Sequence, residues 1–562
     1  MTAEYLFRAE ADQIQDTLFR AARLRQVIGG SRLIAEFGRV AAQIASECGA
    51  THVPIKAGGN LLAVFPTPKA AAEFEDLLAN AYRELMDAPL TVAGEPISLP
   101  DGFRQANENL HRALKHRKVA ERGQQASAQT PTTAFCQSSG AGLAGDLVKS
   151  ERQRADGKTR YDYISAAVKR MEEAGKQARD IGEESFLGRI AACLPRALRE
   201  RAWPHRVEEI EALDPRRNVA YLLADGNGMG KLFGACGSLD QLKALSDALD
   251  ESLRQALVLP LREQLELDCY RQLDFLPLLP LILAGDDLFV LLPARYALDY
   301  ARQFCLAFET QMRERLNTKV LESLLPLAPT VSAAVVICKG HYPYRLAHQR
   351  GEARLAAAKQ LAKEFAQQSP DGDRLSAVNF ELIAGNELTD PVVDKAQRYR
   401  AEMRPYWAAG GVSARATRLA LPLATLLEQR FILAESAGKR LAEFRELYAP
   451  ERLPIKDDGL PQWQHELARV LERIAASDPL ELLHTKPRPV TQQELWRSAL
   501  LVLGDGKQSG DKRGARKEEN YWREMERVSG LFNASALPDL LDVWDYAQAL
   551  DKSLADYEGE GR

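Results

Sequence analysis

Several features that would mark out a class of protein are scarce or missing here. The seven cysteines (Cys48, Cys136, Cys193, Cys236, Cys269, Cys305 and Cys338) are odd in number, widely spaced and never arranged as Cys-x-x-Cys. That argues against a disulfide framework and against a clustered zinc site. None of the eight histidines precedes an aspartate, so the hallmark of an HD-type metal nuclease is missing. No apolar run approaches the ~20 residues of a membrane-spanning helix. The opening Met1-Thr2-Ala3-Glu4-Tyr5-Leu6-Phe7-Arg8 lacks the basic-then-apolar order of a signal peptide, and a cytoplasmic protein without membrane contact is expected. Net charge is only −4 over 562 residues, so any contact with nucleic acid has to come from local basic patches.

What is present is an ordinary globular composition, 46% hydrophobic and 27% charged. The length implies roughly three to five domains. The most informative stretch is Pro277 to Pro293, in which two apolar runs of strand length, Leu281–Ala284 and Leu288–Leu292, flank Gly285-Asp286-Asp287. This predicts a β-hairpin with acids at its tip. Neighbouring carboxylates repel and resist desolvation, so a cation is their natural compensation.

A second stretch supports the first. Asn218 to Phe233 predicts a buried strand ending in Asp225 and running into a glycine-rich turn containing Gly226, Asn227, Gly228, Gly230 and Lys231. Ser238 and Gln241 form a capping box for a helix through Leu257. The acid hairpin follows, then a helix over 294–316, a strand over 330–338, a helix over 344–365 and a strand over 375–382. In a βαββαβ unit the first strand and the hairpin lie side by side, so Asp225 is expected to meet Asp286 and Asp287. Three carboxylates beside glycines that admit phosphates suit two-metal phosphoryl transfer, with Lys231 and Lys359 as triphosphate contacts. A Walker A loop is excluded because Leu232 follows Lys231, and Gly226, Gly228 and Gly230 do not match Gly-x-Gly-x-x-Gly.

The first hundred residues read as a copy of the same unit without the acids. The pattern predicts a strand over 3–9, helices on either side of an interruption at Gly29-Gly30-Ser31, strands at 51–56 and 61–65, a helix over 68–86 and a strand over 89–99. Its hairpin carries Asn60 at the tip. Residues 103–122 predict a helix bearing Arg112, Lys115, Arg117 and Lys118, chiefly a solvated face. A linker is expected over 124–133 and helices over 161–179 and 185–201. Beyond Pro391 the periodicity is helical at 413–447, 461–476, 491–503, 519–532 and 538–556, interrupted by a basic loop whose Lys507, Lys512, Arg513, Arg516 and Lys517 are either RNA or partner contacts or part of a disordered loop with no role. Trp463, Trp496, Trp522 and Trp544 in this tail are expected in the core of a helical bundle.

Asp225-Gly226-Asn227-Gly228-Met229-Gly230-Lys231-Leu232, the Ala284-Gly285-Asp286-Asp287 hairpin and Val331–Ile337, followed by a helix reaching Ala358-Lys359, resemble the second palm of the large polymerase-like subunit of type III CRISPR effector complexes. Ile14-Gln15 through Arg23-Leu24-Arg25 to Gly29–Leu33 is similar to that family's first palm. The resemblance implies an α+β protein: a first palm over 1–100 with a degenerate site, an inter-palm helical region over 101–205, a second palm over 206–387 and an all-helical C-terminal domain over 388–562. It also implies conversion of ATP into cyclic oligoadenylate with two Mg²⁺ or Mn²⁺ ions, in partnership with guide-RNA complex subunits and target RNA. By motif position Asp225, Asp286 and Asp287 are the metal ligands and catalytic acids, with Gly226, Asn227, Gly228, Gly230, Lys231, Gly285 and Lys359 around the nucleotide.

Three departures qualify the expectation. The nuclease domain often found in the family is not expected. The zinc-finger position has decayed to Cys136-Gln137-Ser138-Ser139, with Ser150-Glu151 further on, so no zinc is expected. Ala284 and Asn227 stand where the family has a glycine and often an acid. The alternative readings are a catalytically silent scaffold that binds RNA and partners, and a cyclic-dinucleotide synthase acting alone.

Overall fold

Isolated positions aside, the computed structural model describes residues 4–97, 102–121, 134–149, 159–177, 186–383, 404–433 and 539–550. The chain begins with β1 (Glu4–Ala11), α1 (Ile14–Phe19), α2 (Leu24–Glu47), β2 (His52–Ala57), β3 (Asn60–Phe65), α3 (Pro68–Met86), β4 (Leu90–Ile97) and α4 (Phe103–Glu121). The sheet order is β2-β3-β1-β4, with each neighbouring pair antiparallel, which is the ferredoxin-like arrangement. Local chemistry sets the element ends. The Thr67 hydroxyl accepts from the Ala70 N–H, Pro68 fills the first helical position of α3, and Asp87 closes the helix in the left-handed region.

The expected interruption at Gly29-Gly30-Ser31 is not found. The break falls between Phe19 and Leu24, and α2 runs unbroken through the glycines. Their role is packing, because a Cβ on Gly29 would lie 1.8 Å from the Met171 carbonyl oxygen, and one on Gly175 would lie 2.2 Å from that of Arg25. Two helices cross there at backbone contact, which no larger residue permits.

The connecting region contains β5 (Asp146–Lys149), β6 (Tyr161–Ile164), α5 (Ala166–Gln177), α6 (Phe186–Ala191), α7 (Arg196–Arg199) and α8 (Val207–Glu211). The helix expected from 161 starts later because Tyr161–Ile164 pairs with β5 as a two-stranded ribbon. Pro195, which cannot continue a helix, splits the one expected over 185–201. The linker over 124–133 lies outside the described residues.

There follow β7 (Asn218–Asn227), α9 (Met229–Gly234), α10 (Leu239–Gln264), α11 (Asp268–Arg271), β8 (Leu279–Ala284), β9 (Asp287–Pro293), α12 (Ala297–Leu316), β10 (Thr330–Lys339), α13 (Tyr344–Gln368) and β11 (Ala377–Leu382). Then come β12 (Tyr406–Trp407), α14 (Ala414–Leu419) and α15 (Leu423–Leu433). This sheet is ordered β12-β11-β10-β7-β9-β8. Strands β10-β7-β9-β8 repeat the first sheet's order, while β11 adds in parallel beside β10 after the α13 crossover. Helix α10 passes its expected end and continues through Pro260 to Gln264, because Leu257, Val258, Leu261 and Gln264 are buried and hold the last turns in place.

The region beyond 387 is not wholly helical, since β12 extends the second sheet. The helix expected over 413–447 breaks between α14 and α15, before Pro422, and the chain leaves the helix expected over 538–556 by Val543. The helices expected over 461–476, 491–503 and 519–532, the basic loop with Lys507, Lys512, Arg513, Arg516 and Lys517, and Trp463, Trp496 and Trp522 lie outside the described residues. Trp544 is within them and lies under the Arg430 guanidinium, 5.6 Å from its ring centre. No helix among the described residues is long and apolar enough to cross a membrane.

Two apolar cores run through both sheets. Leu6, Leu62 and Val64 share one core with Ala220, Leu222, Leu288, Val290 and the buried faces of α4, α10 and α12. Phe7, Ala9, Leu61 and Phe65 share the other with Tyr221, Leu223, Phe289, Leu291 and the faces of α2, α3 and α13. The units also make reciprocal contacts, α2 against β8 and α10 against β2. They are thus packed as a pair, each with its trailing helix, α4 or α13, turned into the core that the other unit's helices cover.

Candidate functional site

Strand register brings the acids together. Antiparallel pairing of Ala224 with Leu288 and of Ala284 with Asp287 puts Asp225 opposite Asp287 and Gly226 opposite Asp286 at the common end of β7 and β9. The turn consists of Gly285 and Asp286. Gly285 has φ +67 and Asp286 does not have positive φ, matching a tight hairpin whose first turn residue must be left-handed. A Cβ on Gly226 would lie 3.1 Å from that of Asp286, so the chain end of β7 abuts the hairpin tip.

Because side chains alternate, Asp225 and Asp287 share the face of Tyr221, Leu223, Phe289 and Leu291. Helix α13 packs on that face. At Gly351 it comes so close that a Cβ would lie 2.4 Å from Leu223 Cδ1. About two turns further on, the Lys359 ammonium donates to Asp225 Oδ2. The pair is part-exposed, with 24% of the Asp225 side chain and 37% of that of Lys359 accessible.

Among the described residues one ammonium faces three carboxylates, and the electrostatics show the shortfall. Burial and the Asp225 charge raise the Asp286 carboxyl above its ordinary range. Burial, then Asp225 and Asp286, raise that of Asp287, against the opposing pull of Lys359. A fourth acid was missed by sequence reasoning. Glu352 lies two turns before Lys359 on α13, and burial followed by the Asp225 charge raises its carboxyl too. The spacing of 352 and 359 along one helix face was the available signal.

The remaining expected residues divide. Gly228 is exposed with φ +80, and a Cβ on Gly230 would meet nothing within 4 Å, so both leave open surface beside the acids. Lys231 is exposed on α9, a short helix that the sequence reading left as turn. Asn227 is not free to face a nucleotide. Its amide donates to Thr330 Oγ1 at 3.1 Å and its carbonyl accepts from Ser332 Oγ at 3.1 Å, tying β7 to β10. Among the described residues no group of three His, Cys, Asp or Glu side chains stands ready to hold a metal ion. The donor chemistry nevertheless fits a hard divalent cation, since the cluster is all carboxylate and the Lys359 ammonium already stands in as a positive ion on Asp225.

The first sheet contains the same geometry without the cluster. Asn60 pairs with Glu10, which puts Glu10 at the register position of Asp225 and Asn60 at that of Asp287. Glu10 is bound by Arg8 at 2.9 Å and Lys118 at 2.8 Å, and these cations hold its carboxyl below the usual range despite burial. The expected solvated face of α4 is therefore only partly solvated, because Lys118 returns to the sheet and Arg117 donates to the Val92 carbonyl at 2.7 Å.

The fold defines a class: adjacent central strands β7 and β9 with carboxylates at their common end make a palm-type domain. Residues 218–366, which hold every acid of the cluster together with Lys359, match the family model described as Cas10/Cmr2, second palm domain. The resemblance to the type III CRISPR large subunit is thus carried by this segment. No curated protein matches. Similar solved structures include a Csm1-Csm4 cassette in complex with cA4, at 16% identity and TM-score 0.48, covering 88% of this chain and 67% of that one. An apo Csm1-Csm4 cassette is 14% identical at TM-score 0.48, covering 97% and 70%. The Csm1-Csm4 subcomplex of the type III-A CRISPR-Csm interference complex is 15% identical at TM-score 0.48, covering 97% and 70%. In two further similar structures, Csm1-Csm4 cassettes in complex with AMPPNP and with pppApA, the chain spans 65% and 63% of the other chain's length.

Proposed function

We propose that the second palm is a metal-dependent nucleotidyltransferase that joins ATP into cyclic oligoadenylate within an RNA-guided antiviral complex. The observation that carries this reading is the meeting of Asp225, Asp286 and Asp287 beside an open glycine surface, with Lys359 over them. Asp225 with Asp286 and Asp287 would hold two Mg²⁺ or Mn²⁺ ions, which when bound supply charge neutralisation for in-line displacement at a phosphorus. The chain's own residues do the rest. Gly228 and Gly230 admit the triphosphate without steric conflict, and Lys231 and Lys359 offer it ammonium groups. Phe19 from the first unit packs against Phe289 at 5.4 Å and His348 at 4.1 Å, fixing the strand and helix that carry Asp287 and Lys359. Guide-RNA complex subunits and target RNA are the proposed partners.

The test is incubation of the protein, alone and in complex with its partner subunits and target RNA, with ATP and Mg²⁺ or Mn²⁺, followed by mass spectrometry. Oligoadenylate that disappears in an Asp286→Ala, Asp287→Ala double variant is the expected result. No oligonucleotide under any of these conditions would overturn the reading in favour of the silent scaffold, for which the hydrogen-bonded Asn227 is the one favourable observation.

A further inference from the structure

The two units share a feature beyond the strands. Lys118 is the sixteenth residue of α4 counted from Phe103, and Lys359 is the sixteenth of α13 counted from Tyr344. Each helix follows the fourth strand of its unit, and each lysine binds the acid at the end of that unit's first strand, Glu10 or Asp225. The repeat therefore includes a helix-borne cation and its carboxylate, although the two sequences around them differ.

The pairs differ in their surroundings. Glu10 faces Asn60 and is bound by both Arg8 and Lys118, so its charge is more than balanced. Asp225 faces Asp287 and abuts the Asp286 turn, and the Lys359 ammonium is bound to it. The ammonium engages Asp225 Oδ2 directly, so that oxygen is not open to another cation while the ammonium remains on it. Lys359 is also a long, part-exposed side chain at the edge of the cluster, able to move its charge to a nearby anion at little steric cost.

We infer that Lys359 is a resident counter-ion, and that its transfer from Asp225 to the phosphates of an incoming nucleotide is what opens Asp225 to a divalent cation. This inference rests on the reading of the second palm as a nucleotide site. It makes nucleotide and cation binding mutually dependent, since each is favoured by the state in which Lys359 has left Asp225. In the first unit, Arg8 and Lys118 both bind Glu10 and the neutral Asn60 stands opposite it, so departure of Lys118 would leave no comparable cluster of carboxylates.

The experiment is titration of Mn²⁺ alone into the full chain, read from the paramagnetic resonance of free Mn²⁺, for the wild type and for Lys359→Ala, Lys359→Gln, Lys118→Ala and Asp225→Asn. Removal of the lysine charge is expected to tighten Mn²⁺ binding roughly tenfold in both Lys359 variants, a typical coupling between sites. Lys118→Ala is expected to leave binding unchanged, and Asp225→Asn to weaken it. Unchanged or weaker binding in both Lys359 variants, with Asp225→Asn still weakening it, overturns the counter-ion role while keeping the site. Wild-type binding in Asp225→Asn places the ion elsewhere and overturns both. Because the readout requires no turnover, it separates this inference from failure to observe oligoadenylate.

Discussion

Gly226 and Asp286 touch across the end of the second sheet: a Cβ on Gly226 would lie 3.1 Å from Asp286 Cβ and 2.4 Å from Met229 Cε. Asp286 is a turn residue between Ala284 and Asp287, the paired ends of β8 and β9, so the neighbour that must give way is the hairpin tip. Gly226→Ala is expected to displace the hairpin tip and lower oligonucleotide synthesis at least tenfold, about 1.4 kcal/mol of barrier. Thermal melting within a few degrees of wild type, beside an activity assay, checks that the effect is local. Wild-type activity would show that the tip tolerates the shift.

Asp287 is costly to the fold. It is half-buried and faces two other carboxylates, with the Lys359 ammonium to offset them. Asp287→Asn keeps the shape without a carboxyl whose pKa is pushed up to about 8, so in the absence of divalent cations it is expected to raise the melting temperature by several degrees at neutral pH and above, a gain that fades as pH falls toward 4, while product formation with Mg²⁺ falls to background. A drop in melting temperature would mean that the carboxylate contributes to the fold.

His348 sets an acid limb of stability. It is packed between Phe19 and Phe289, with Glu352 Oε1 3.6 Å from its Nε2, and burial lowers its pKa to about 4. The unfolded chain takes up the proton first, near pH 6.5, so the stability present above that value declines as pH falls and the decline ends below about pH 4. A shift of this size corresponds to about 3 kcal/mol. Chemical denaturation of wild type and His348→Phe between pH 7 and 4 is expected to show a flatter profile in the variant, and parallel profiles would refute it.

Gly29 tests the helix crossing. Its Cβ would lie 1.8 Å from the Met171 carbonyl and 2.5 Å from the Gly175 amide, both backbone atoms that cannot move independently. Gly29→Ala is expected to cost roughly 1–3 kcal/mol or more through overpacking, despite alanine's better helix propensity. Gly234→Ala, where a Cβ meets nothing within 4 Å, is the control and is expected to be neutral or slightly stabilising. Equal unfolding midpoints for the two variants would contradict the close crossing.

The sequence alone determined the hairpins, both ferredoxin-like strand orders and the meeting of Asp225 with Asp286 and Asp287. These follow from local information: alternation with period two, left-handed glycine at a tight turn, and a register that the turn sets for every residue along the pair. Tertiary structure alone decided the rest, because it depends on residues distant in the chain. Gly29 and Gly30 read locally as a helix break, yet they serve α5, more than a hundred residues away. Pro260 is locally a stop but is carried by core burial. Asn227 offers a free amide until Thr330 and Ser332 arrive across β10. The charge state of the acid cluster likewise waits on α13, since only the packed helix brings Lys359 and Glu352 over Asp225.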